Sequence, residues 1–166
     1  MRGVEVGSIP LDRLASLVDK ERAERLMDYA VRARTLLADR IVWNVNATAT
    51  GGGVAEMLQA LLAYGRGAGV DTRWLVLDAT PDFFRITKRV HNLLHGSPGD
   101  GGPLGAAERA AYEAALAPNL EHLLAVVRPQ DIVLLHDPQT AGLVPALRAA
   151  GLHPVWRSHV GRDTPN

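Results

Sequence analysis

The sequence predicts an α/β fold, a Rossmann-like parallel sheet with helices on both faces. Three observations predict it. Apolar runs of strand length alternate along the chain with segments of helical period. Those runs are continuous, as in Ile41-Val42-Trp43 and Ile132-Val133-Leu134-Leu135, which is the pattern of strands buried on both faces. The first of them passes through Gly51-Gly52-Gly53 into a helical pattern of Val54, Met57, Leu58, Leu61 and Leu62, a strand, glycine turn and helix in succession.

The elements follow in order. Pro10 opens a short helix with Leu11, Leu14 and Val18 on one face, and a second helix spans about 20–38. The first strand is 41–46 and the glycine-turn helix is about 53–66, ended by Gly65, Gly67 and Gly69. The second strand is about 72–78, and Pro81 starts a helix to about 95. Residues 96–105, rich in glycine and proline, form a flexible loop. Alanine-rich helices run from about 105 to 128, with Pro118 as a break or a new start. A buried strand at 131–136, a helical stretch at 138–149 and a last strand at 153–159 complete the pattern. Residues 1–40 read as a helical N-terminal extension and 41–166 as an incomplete Rossmann-like domain.

Composition narrows the function. Eighteen basic and eighteen acidic residues leave no net field to recommend a nucleic acid or an anionic membrane. No apolar stretch approaches the roughly 20 residues of a membrane span, and Met1–Asp19 lacks a signal-peptide core, so the expected location is cytoplasmic. Without cysteine there is no disulfide framework, thiolate nucleophile or thiolate metal site. His91 and His95 have metal-ligand spacing but no identifiable third ligand, so neither a metal nor a cofactor is expected.

In parallel sheets ligands bind beyond the C-terminal strand ends. Polar residues collect there: Asn44 and Asn46, Asp78, His136-Asp137, and Arg157-Ser158-His159. The glycine turn supplies unpaired N–H groups at the positive end of a helix, suited to a phosphate or a polar sugar group; it also reads as a turn that only packs a helix on a sheet. It lacks the Lys-Ser or Lys-Thr of a Walker A loop and the G-x-G-x-x-G of a dinucleotide site, since position 56 is Glu. His136, Asp137 and Gln139 offer the mixed donors and acceptors that sugar hydroxyls need, although Asp137 also suits a cap for the helix begun at Pro138. Lys88, His91, Asn92 and His95 share one helical face. Glu56, in the first turn of its helix, either complements the dipole or binds a hydroxyl.

Four stretches together resemble the N-terminal domain of the trehalose glycosyltransferring synthases, retaining GT-B enzymes of glycosyltransferase family 4 that are close to the retaining trehalose phosphorylases. They are Trp43–Asn46 with Gly51–Met57; Phe83-Phe84 with Thr87-Lys88 and His91-Asn92 through His95-Gly96; His136–Gln139 with Ala141-Gly142; and Trp156–His159. The resemblance implies that glucose moves reversibly from a nucleoside diphosphate to free glucose, giving α,α-trehalose; the alternatives are a retaining trehalose phosphorylase and a noncatalytic sugar- or nucleotide-binding module. It implies a truncated N-terminal half of a GT-B fold, the acceptor side, with the C-terminal donor domain absent and the fragment inactive alone. It places His159 and Arg157 as catalytic residues, stabilising an oxocarbenium-like transition state and leaving phosphate in a front-face attack. It places Asn46, Gly52, Gly53, Glu56, Lys88, Asn92, His136, Asp137 and Gln139 as substrate-binding. The implied partners are glucose or trehalose, and a nucleotide sugar through the other domain. An unfinished domain also leaves apolar surface, so a homo-oligomer is expected.

Overall fold

The computed structural model describes residues 1–162. Residues 163–166, which the sequence reading includes in the domain, lie outside the described residues. The elements are β1 (Arg2–Val4), α1 (Asp12–Ala15), α2 (Lys20–Leu36), β2 (Val42–Asn46), α3 (Gly53–Gly67), β3 (Thr72–Val76), α4 (Pro81–Leu94), α5 (Ala106–Val126), β4 (Ile132–His136), α6 (Pro138–Ala141), α7 (Val144–Ala149) and β5 (His153–Arg157). The sheet order is β1-β3-β2-β4-β5. β2 lies between β3 and β4 and is parallel to both, and β5 is parallel to β4.

The period-2 geometry of the strands divides the core. Trp43 and Val45 of β2 join Leu75, Val133 and Leu135 on one face, packed with Phe83 of α4, Leu116 and Leu123 of α5, and Leu147 of α7. Trp74 and Val76 of β3 meet Ala55, Leu58 and Leu62 of α3 on the other. Helices therefore cover both faces, as the continuous apolar runs require. Asn44 and Asn46 alternate with Trp43 and Val45, yet are themselves buried. A buried amide is costly without partners, and both asparagines have them.

Three local expectations are corrected. Residues 2–4, placed in a helical extension, form β1, which pairs antiparallel with β3 at the registers Arg2↔Val76 and Val4↔Trp74. Three residues are too short to show a period; the strand exists because the edge of β3 offers hydrogen bonds and Val4 packs beside Trp74. Pro118 does not break α5, which continues through it. Proline removes one helical N–H, and the buried Asn119 beside it ties the helix down instead. Its Nδ2 donates to the Ala115 and Asp78 carbonyls, each at 2.8 Å, and its Oδ1 accepts from Asp78 N–H at 2.9 Å. The stretch 138–149 is two short helices rather than one, separated at Gly142-Leu143.

The glycine- and proline-rich loop at 96–105 is tied to α4. Arg89 Nε donates to Asp100 Oδ1 at 2.7 Å, and Nη1 to the Pro103 carbonyl at 3.0 Å. Among the described residues no helix is long and apolar enough to cross a membrane.

Candidate active site

A cavity of 270 Å³ lies where the C-terminal end of β2, the N-terminus of α3, α4 and the turn after β4 converge. Gly51, Gly52 and Gly53 form one wall, Lys88 and His91 another, and Asp137 and Gln139 the third. A larger groove of 740 Å³ beside β1 and Arg73 contains none of the predicted site residues.

The glycine wall is open backbone. Gly51 and Gly52 take φ values of +72° and +120°, which side chains rarely adopt. A Cβ on any of the three would meet nothing within 4 Å. Close packing of helix on sheet is therefore not what these glycines serve. Gly52 caps α3 without a side chain, so the first-turn N–H groups have no side-chain acceptor at the positive end of the helix. Asn46 holds the loop before them. Its Oδ1 accepts from Trp74 Nε1 at 2.8 Å and its Nδ2 donates to the Thr48 carbonyl at 2.7 Å. It lines the cavity, but its amide is largely occupied in positioning.

Asp137 is the most constrained residue of the site. Its φ of 66° and ψ of 176° are strained for any residue with a side chain, at a cost of about 1–3 kcal/mol. Neighbours on three sides hold it there. Its N–H donates to the Arg157 carbonyl at 2.9 Å. Its carbonyl accepts from Trp156 Nε1 at 2.9 Å and from Thr140 Oγ1 at 3.1 Å. Its carboxylate does not cap α6. Instead Oδ1 accepts from the His159 N–H at 2.7 Å, and Oδ2 lies 3.2 Å from His159 Nδ1.

His159 consequently sits behind Asp137 and is not on the cavity wall. Its ring stacks on that of His136, with centroids 5.2 Å apart and planes 21° apart. His136, at 1% exposure, is fully enclosed and also off the wall. Its Nε2 lies 3.1 Å from Asn44 Oδ1. Burial pushes His136 down to about 4, with help from the nearby His159 and Arg157 charges. Burial also lowers His91, followed by the charges of Lys88 and His95.

The other predicted residues are distributed as follows. Lys88 and Gln139 reach the cavity. Asn92 instead packs against Gly99 of the 96–105 loop, where a glycine Cβ would come within 2.7 Å of its Nδ2. Glu56 is exposed on α3 and does not line the cavity. Arg157 contributes its backbone carbonyl, while its side chain is exposed. Asn44, read as a polar strand end, is buried and reaches His136 instead of the cavity. Tyr112 escaped the sequence reading of the site: its hydroxyl donates to the Pro138 carbonyl at 2.8 Å and accepts from Gly142 N–H at 2.8 Å, bracketing the helix that carries Gln139. A Cβ at Gly142 would fall 2.6 Å from the Tyr112 ring, so glycine is what admits the tyrosine. Nothing local in the sequence marks Tyr112.

A family model described as the N-terminal domain of trehalose synthase matches residues 44–166. The chain belongs to the trehalose synthase N-terminal domain family. It is 34% identical to the trehalose synthase of Rubrobacter xylanophilus over 169 residues, which is 100% of this chain and 39% of that protein. It is 32% identical to that of Pyrococcus horikoshii over 96% of this chain and 36% of that protein. The trehalose phosphorylase of Pleurotus pulmonarius is 33% identical over 69% of this chain and 16% of its own length. The chain thus spans well under half of these relatives. An α,α-trehalose 6-phosphate synthase from Burkholderia multivorans shares the fold, with a TM-score of 0.50 and 17% identity over 72% of this chain and 32% of that one. The family match begins at Asn44 and takes in the glycine turn, Asp137 and His159.

Proposed function

We propose that this chain is the acceptor-side domain of a retaining glucosyltransferase that forms α,α-trehalose from a nucleoside diphosphate glucose and glucose, reversibly. The observation that carries the reading is the cavity at the strand ends. It combines a helix N-terminus, the Lys88 ammonium, the Gln139 amide and the Asp137 carboxylate. Such a set offers donors to sugar oxygens and one strong acceptor for a sugar hydroxyl. In this reading Asp137 and Gln139 bind acceptor hydroxyls, and the α3 terminus and Lys88 face the diphosphate that the donor half brings. Arg157, whose side chain is exposed, acts at the transferring glucose once that half closes over it, and His159 serves the site by holding the Asp137 carboxylate. No metal or cofactor is invoked, and the setting is the cytoplasm.

A phosphorylase, using glucose 1-phosphate, is the second reading, favoured by the Pleurotus likeness. The synthase reading is preferred because those relatives match nearly the whole chain, the N-terminal forty residues included. Calorimetric titration of the 166-residue chain tests the division of labour. Glucose binds, nucleoside diphosphate glucose binds far more weakly, and the mixture yields no trehalose. Trehalose formed by this chain alone contradicts the proposal.

A further inference from the structure

Four side chains form a connected line from the middle of the sheet to the cavity. Asn44, at 2% exposure, sits within β2 among Val42, Trp43 and Val45. Its Oδ1 can only accept, so the facing Nε2 of His136 carries the proton, and His136 Nδ1 is left as a bare acceptor. The His136 ring lies against the ring of His159. His159 in turn gives both its backbone N–H and its Nδ1 to the two carboxylate oxygens of Asp137. Only the last member of the line reaches the cavity.

Each member works against stability. A buried amide and a buried imidazole give up solvation that aliphatic side chains would not need. Among the described residues, His136 Nδ1 and His159 Nε2 are buried without a partner. Asp137 holds a strained backbone. The strands around them are filled with Val and Leu, so an apolar packing at 44 and 136 was open to the sequence. Three unfavourable features meeting at one carboxylate mark a functional arrangement rather than a packing solution.

We propose that Asn44 and His136 are positioning residues for the Asp137 carboxylate, acting through the ring of His159. Asn44 fixes the His136 tautomer and ring plane. The face of His136 fixes the plane of His159. His159 then aims both oxygens of Asp137, leaving their remaining lone pairs to a sugar hydroxyl. The sugar is taken from the function proposed above, whereas the line of side chains is independent of it.

The test separates stability from positioning. Asn44→Leu and His136→Leu are made singly and together in the 166-residue chain. Each single variant strands a buried polar group and unfolds at lower urea. The double variant replaces both partners by apolar groups and recovers the original midpoint or exceeds it. In the double variant the His159 Nδ1–H proton resonance, held by Asp137, shifts or is lost to exchange, and glucose binds about tenfold more weakly. A double variant with the original His159 resonance and glucose affinity overturns the proposal. So does one less stable than both single variants, since the pair is then structural. If the double variant does not fold, Asn44→Ser, which admits a water beside His136, is read by the same two signals with the same expected changes. If the unsubstituted chain binds no glucose, the proposed function fails, and the His159 resonance alone decides the positioning line.

Discussion

Two carboxylates bracket strand β4, Asp131 just before it and Asp137 just after it, and they do opposite things. Asp131 is completely buried and saturated with donors. Ile41 N–H reaches Oδ1 at 2.9 Å, Trp43 Nε1 reaches Oδ2 at 3.1 Å, Arg128 N–H reaches Oδ2 at 3.0 Å, and Arg128 Nη2 reaches Oδ1 at 2.8 Å. Burial opposes its ionisation, but these donors together hold it well below the usual carboxylate range. Its own backbone takes no positive φ, and it does not line the cavity at the strand ends. Asp137 has fewer donors, a strained backbone and open space beside it. A polar network that satisfies itself holds a fold together. One that leaves lone pairs and strain beside a cavity is built for something it does not contain.

The sharpest way to break this comparison is to remove both carboxylates in turn. Asp131→Ala leaves the Ile41, Trp43 and Arg128 N–H donors unpaired beside the Arg128 charge and should cost roughly 3–5 kcal/mol in urea unfolding. The variant should bind glucose normally wherever it remains folded. Asp137→Asn should reverse the pattern. Its stability should stay within about 1 kcal/mol of the parent, because lost hydrogen bonds to His159 are the main change. Its glucose affinity should fall roughly tenfold to a hundredfold, the worth of a charge-assisted hydrogen bond, measured by calorimetry. Equal stability losses at the two positions would erase the distinction.

A smaller effect comes from pH. Unfolded His136 takes up its proton near the ordinary value of 6.5, while the folded chain resists until about 4. The unfolded state therefore binds more protons between those values, and stability falls as pH drops through that window. The loss from this group should reach about 2 kcal/mol at pH 5 and vanish above about pH 7. His136→Leu paired with Asn44→Leu should flatten that part of the stability profile. Asp131 acts in a lower window, its contribution being complete above 3.8 and lost as pH falls below it. The smallest effect is expected at Gln139→Ala. Its side chain makes no hydrogen bond to the described residues, so stability should be unchanged while glucose binding weakens by about 1 kcal/mol.

The sequence made the sheet legible because its signals are local. Continuous apolar runs marked β2, β3 and β4, and the glycine turn marked the start of α3. Position relative to strand direction then favoured Asp137 over Asp131, since ligands gather at C-terminal strand ends. What stayed hidden depends on distant partners. Asn44 meets His136 across 92 residues, and Asp131 meets Ile41 across 90. No spacing rule reports such pairs. The place of His159 behind Asp137 had the same cause, a contact made across 22 residues. Both residues read as polar tips, and only the turn geometry at Asp137 shows which one faces the cavity. β1 escaped because three residues carry no period, and the continuity of α5 because Asn119 offsets a helix breaker through a contact with Asp78.

The assignment of the acceptor site at Asp137 is tested most directly by the location of bound glucose. Amide resonances of the 15N-labelled chain are followed as D-glucose is added. The shifts should concentrate at Gly51–Val54 and Asp137–Thr140, saturate together, and disappear in Asp137→Asn. Saturable shifts confined to the groove beside β1 and Arg73, or none anywhere, would contradict the assignment.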